Sequence, residues 1–147
     1  MTYTMSRAIG AYHKAAVAVP PVAAVTLLFD EVLNSLIMTA RHLRAKEYDQ
    51  AHLRSQRAVG ILKGLRQNLD METGGALAQQ LLNTYTTNIA VINSVTRKPE
   101  PTEQLVKLAI GLVDLRNAWA EATSLSERSG TKLVEDIRED HHVSEVA

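Results

Sequence analysis

The sequence predicts an all-α fold: an antiparallel up-down four-helix bundle with an extended N-terminal segment and a flexible C-terminal tail. Three observations carry this. Strand signals are nearly absent, with one Phe, scattered β-branched residues and no alternating runs bounded by tight turns. Apolar residues recur at helical spacing in four separate stretches. The connections between those stretches are short, which sets neighbouring helices antiparallel. At 147 residues, 46% hydrophobic and 22% charged, the chain suits one globular domain with a single core.

The first predicted helix begins at Pro21, a residue suited to a first turn because it has no N–H to satisfy. Val22, Val25, Phe29, Val32, Leu33, Leu36, Ala40 and Leu43 follow at spacings of three and four and form a core-facing stripe. Asp49 is placed to cap the second helix, whose apolar side is Ala51, Ala58, Ile61, Leu62, Leu65 and Leu69. Arg54, Arg57, Lys63 and Arg66 make the rest of that helix basic. Gly74-Gly75 then breaks the pattern, since paired glycines favour φ > 0 and add backbone entropy. The third helix buries Leu77, Leu81, Leu82, Tyr85, Ile89, Ile92 and Val95. Pro99 and Pro101 stiffen a polar linker. In the fourth helix Leu105, Leu108, Leu112, Leu115, Trp119 and Ala122 make a seam spaced three, four, three, four, three, with Gly111 beside it. Trp119 and this seam are assigned to the core.

These elements give a helical-bundle domain over 1–122, with an N-terminal segment over 1–19, and a polar, mobile tail over 123–147. Ile9 and Tyr12 are the large anchors of the N-terminal segment apart from Met5. Leu133, Val134 and Ile137 have the spacing of one amphipathic turn, but the Ser-, Glu- and Asp-rich composition favours mobility.

Composition removes several function classes. Sixteen basic and sixteen acidic residues cancel, so no net charge attracts nucleic acid or an anionic membrane. The absence of cysteine excludes disulfides and thiolate metal sites. The first residues lack the basic and apolar regions of a signal peptide, and a cytoplasmic protein is expected. A di-iron bundle needs paired Glu-x-x-His motifs, whereas this chain offers only Asp49-x-x-His52. His141-His142 is at most a weak chelating pair. His42 and His52 lie off the apolar stripes without the surroundings that would admit a phosphoryl group. No phosphate loop or Gly-x-Ser-x-Gly occurs. No catalytic residue, metal or cofactor is therefore expected.

Two features point to binding. No charged residue appears from Thr73 to Thr96, so the third helix is polar without ions. Neutral amides desolvate more cheaply than charges, which suits coverage by another protein. Asn83 and Thr87 represent that face. Leu27 and Met38 lie three turns apart on the otherwise polar back of the first helix and suit a groove. A histidine phosphotransfer bundle and a self-associating bundle, with the third helix as a homodimer seam, are the alternatives.

In order along the chain, Ile9-Gly10-Ala11-Tyr12, Leu28-Phe29-Asp30, Leu69-Asp70-Met71-Glu72-Thr73-Gly74-Gly75, Tyr85 and Ala118-Trp119 resemble the motifs of the flagellin-specific export chaperones, the FliS family. The similarity spans about residues 5 to 122, and the double-Gly corner is its most specific element. Glu31 stands where the family has a small Gly, and Thr86-Thr87-Asn88 replaces Asp-Tyr-Met. The resemblance implies a bundle that holds the disordered C-terminal region of flagellin as helices in apolar grooves and prevents premature polymerisation. It further implies presentation of the complex to the FlhA component of the export gate, without any cofactor. Ile9, Tyr12 and Tyr85 become partner-binding residues, with 1–19 resting on the empty bundle as a lid.

Overall fold

The computed structural model describes residues 3–15 and 21–139. Among them lie six α-helices: α1 (Tyr3–Ala15), α2 (Val22–Arg44), α3 (Tyr48–Gln67), α4 (Met71–Ser94), α5 (Pro101–Ala120) and α6 (Gly130–Arg138). A 3₁₀ turn over Val95–Arg97 ends α4, and no strand occurs among the described residues. The four long helices correspond to the four predicted from periodicity.

The central element is α2, which packs on α3, α5 and α6. Its predicted stripe is buried from Val22 to Ala40, and Leu43 is half-buried. Two buried hydroxyls on α2 close onto their own helix, Thr26 donating to the Val22 carbonyl and Thr39 to that of Ser35. By length and composition α2 could cross a bilayer, yet 56% of its most apolar stretch is buried inside the bundle. On the other side of the bundle α3 packs on α4. The two helices that should close the ring, α4 and α5, meet chiefly through α1, which packs on both.

Three expectations are corrected. The N-terminal segment is a helix rather than an extended strand of chain. Met5, Ile9 and Tyr12 are spaced four and three apart, the helical period, and intervening alanines support it. Asp49 does not cap α3: Glu47 holds that position, and Asp49 lies in the first turn. Lys46 takes a left-handed φ of 60° and Glu47 N–H donates to the His42 carbonyl, so the chain reverses early.

The third correction concerns the tail. Residues 130–138 form α6, with Leu133 and Ile137 fully buried, rather than mobile chain. Ser129 caps it by accepting from Lys132 N–H, and α6 covers a flank of α2 and α5. This also explains why Val106 and Val113, outside the predicted α5 seam, are buried, while Ala122 lies past the helix end and is exposed. Residues 140–147, including His141-His142, and residues 1–2 and 16–20 lie outside the described residues.

The path from α5 to α6 is fixed by charge. Arg116, 6% exposed, makes a bidentate pair with Asp30 (2.9 and 3.0 Å) and donates to the Ser126 carbonyl. Arg128 donates to the same carboxylate at 3.0 Å and to Asn34 at 2.6 Å. Asn117 accepts from Arg128 N–H and donates to the Arg128 carbonyl, both at 2.9 Å. Asp30, the acid of the Leu-Phe-Asp motif, is thus the anchor of the 121–129 connection.

Candidate helix-binding seat

The corner from Leu69 to Gly75 forms the seat of the N-terminal helix. Asp70 occupies the N-cap of α4, where its carboxylate accepts from Thr73 N–H at 3.0 Å. That bond to the ionised form holds the Asp70 carboxyl below the ordinary carboxylate value. The Asp70 backbone N–H points the other way and donates to the Tyr12 hydroxyl at 2.7 Å. A Cβ on Gly74 would lie 2.7 Å from Tyr12 Cε1 and 2.5 Å from the Ala78 Cβ, so the missing side chain at 74 is what admits the ring. Gly75 has φ 53° and ψ −125°, and this kink starts the rest of α4 in a new direction. The two glycines therefore do different things: one makes room and the other turns the chain.

Tyr12 enters a recess shared with Val25, Leu65, Leu69, Tyr85 and Trp119, leaving a void of about 20 Å³. Ile9, fully buried, precedes it by three residues on the same side of α1. Tyr85 packs its ring on Phe29 with centroids 6.2 Å apart, and burial pushes its phenol pKa up. Alongside Met5 the seam between α4 and α5 stays open as a cleft of about 230 Å³. Leu81, Leu108 and Leu115 are among its lining residues, with Gln80, Thr84, Asn88, Lys107 and Gly111.

The sequence-predicted site residues fall into three groups. Ile9, Tyr12 and Tyr85 are buried where α1 meets the bundle, Tyr12 and Tyr85 in one recess. Asn83 and Thr87 are exposed on α4, where Asn83 accepts from Gln79 at 3.0 Å. On α2, Leu27 is 55% exposed while Met38 is half-buried with its sulfur 3.6 Å from an Arg41 nitrogen. The first group is assembled and the others are not joined to it. Sequence reasoning missed Asp70 and Gly74 as parts of the seat. The double-Gly corner was the available signal, but its partner, Tyr12, is 58 residues from Asp70 along the chain.

His42 pairs with Glu47 at 2.8 Å, His52 is exposed, and no cluster of three metal-ligating side chains occurs among the described residues. The fold and the seat define a helical-bundle protein that holds a short amphipathic helix in a seam between longer ones. The chain belongs to the FliS family, a chaperone family of flagellar biogenesis: the family model described as Flagellar protein FliS matches residues 5–126. No curated protein and no solved structure matches the chain.

Proposed function

We propose that this chain is a cytoplasmic export chaperone that binds the disordered C-terminal region of flagellin, prevents its premature polymerisation and delivers it to FlhA at the export gate. The observation that carries the reading is the seat of α1. A short helix, anchored by Ile9 and Tyr12, fills a seam that the long helices α4 and α5 do not close themselves. Such a seam accepts a helix in general, because apolar anchors at three- and four-residue spacing fit a groove between two helices. Flagellin's segment then folds as it binds, with an ordering cost of about 2–5 kcal/mol or more offset by burial of apolar surface. The lid acts by mass action: while α1 covers the seam, apparent affinity falls by the covered fraction.

Titration calorimetry with a flagellin C-terminal peptide, paired with circular dichroism, tests this. Binding accompanied by a gain in helical signal is the expected result, and deleting residues 1–14 changes the affinity while raising dye binding to exposed apolar surface. Phosphorylation of His42 or His52, or a concentration-dependent dimer indifferent to flagellin, would overturn the reading.

A further inference from the structure

Among the described residues three buried side-chain atoms find no hydrogen-bond partner: Ser35 Oγ, Arg41 Nε and Trp119 Nε1. A donor shut away from solvent without an acceptor keeps the full penalty of its desolvation, so each such atom calls for a physical reason. Trp119 borders the Tyr12 recess, and Tyr12 and Tyr85 bound the same void of about 20 Å³.

Each of these three residues carries an unused polar group. The Tyr12 hydroxyl accepts from Asp70 N–H at 2.7 Å, and its own proton has no acceptor among the described residues. Tyr85 is 1% exposed, and its hydroxyl bonds to no described residue. Burial raises the Tyr85 pKa, and the Tyr12 phenol adds to the rise, which makes the two phenols neighbours. Asn68, at the exposed rim of the recess, donates to the Gly64 carbonyl at 2.8 Å. The rest of the lining, Val25, Leu65 and Leu69, offers no polar side chain.

A void holds one water when it offers at least roughly 10–15 Å³ and about two to four polar partners. This recess meets both conditions. We propose that it is a binding site for a single ordered water, shared by Trp119 on α5, Tyr85 on α4 and Tyr12 on α1. The water accepts from the indole N–H and from the Tyr12 hydroxyl, and it donates to the Tyr85 oxygen. Tyr85 is thereby a positioning residue for α1, acting on Tyr12 through the shared water. The same water makes the seat reversible. When Tyr12 withdraws, the water stays on the indole and on the Tyr85 hydroxyl, so no buried donor is stranded. The site stands whether or not the chain carries flagellin.

Tyr85→Phe keeps the ring that packs on Phe29 and removes only the hydroxyl. Oxygen-17 relaxation dispersion counts long-lived waters, and the variant is expected to hold one fewer than the parent. Trp119 is the only tryptophan of the chain, so the indole N–H vibration reports this donor alone. That vibration is expected at a hydrogen-bonded frequency in the parent and shifted toward the free frequency in the variant. Amide exchange over residues 5–12 is expected to quicken several-fold, with residues 130–138 unchanged. A free indole N–H in the parent overturns the proposal without recourse to any variant. A crystal structure with a protein acceptor on Trp119 Nε1 overturns it as well. Faster exchange with an equal count of long-lived waters would make Tyr85 a packing residue alone, and the water site would fall.

Discussion

The two terminal helices flank α5 and are seated by different means. At α1 the bundle is shaped to the helix: Gly74 is empty where the Tyr12 ring lies, and the Asp70 amide is aimed at its hydroxyl. At α6 the helix is shaped to the bundle, with two apolar side chains in the seam and long arginines reaching across. A seat made by an absent side chain is specific for one ring and sensitive to any added atom. A seat bracketed by surface charges is adjustable and responds to salt. The comparison separates a recess built for one side chain from a flank covered by a later part of the chain.

The largest expected effect is common to both ends. Trp119 is 3% exposed and lines the Tyr12 recess from α5, the helix on which α1 and α6 both rest. Trp119→Ala is expected to cost about 3–5 kcal/mol, read as a lower denaturant midpoint. A variant that unfolds like the parent yet loses its partner would remove Trp119 from the core.

Gly74→Ala breaks the comparison on one side. The new methyl cannot share space with Tyr12 and Ala78, and overpacking of this kind costs about 1–3 kcal/mol. Hydrogen exchange is expected to quicken over residues 5–12 while residues 130–138 keep the parent's protection. Equal loss at both ends would mean that the two helices are one cooperative unit.

How much of this was legible depends on how far each partner lies along the chain. The four long helices were, because each stripe such as Val25–Phe29–Val32–Leu36 is a local period. The anchors Ile9 and Tyr12 were visible as isolated large residues, but their seat was not. Asp70 and Gly74 act through a ring that the sequence places about sixty positions away. The α6 pattern Leu133–Ile137 was also visible, and composition argued against it. What decides the matter is Arg44, 93 residues before the Ile137 carbonyl it binds, and Asp30, 98 residues before Arg128. Charge pairs at such separations leave no periodic trace.

A smaller effect is expected on the α4 face between the two ends. Asn83 and Thr87 are exposed, so Asn83→Lys and Thr87→Glu should leave stability within about 0.5 kcal/mol. Under the chaperone reading both weaken flagellin binding, because an ion buried without a partner is costly. Unchanged affinity for both variants would mark this face as merely solvated.

The smallest effect is a difference in how acid and salt act at the two ends. The Asp70 carboxyl is held below its ordinary value by Thr73 N–H, and Glu103 by its bond to Arg138. A carboxylate with a depressed folded pKa contributes stability above its unfolded pKa and loses it as pH falls through the folded one. Both ends are therefore expected to loosen below about pH 4, and acid alone does not tell them apart. Salt does. Raising ionic strength to about 1 M shortens the screening length to about 3 Å, which weakens an exposed pair such as Glu103–Arg138. The Tyr12–Asp70 bond joins a hydroxyl to an amide, and neither group carries charge. At neutral pH, high salt is expected to speed amide exchange at the C-terminal end of α6 and to leave the Tyr12 segment as it was. Equal acceleration at both ends would show that charge contributes to the α1 seat as much as to α6.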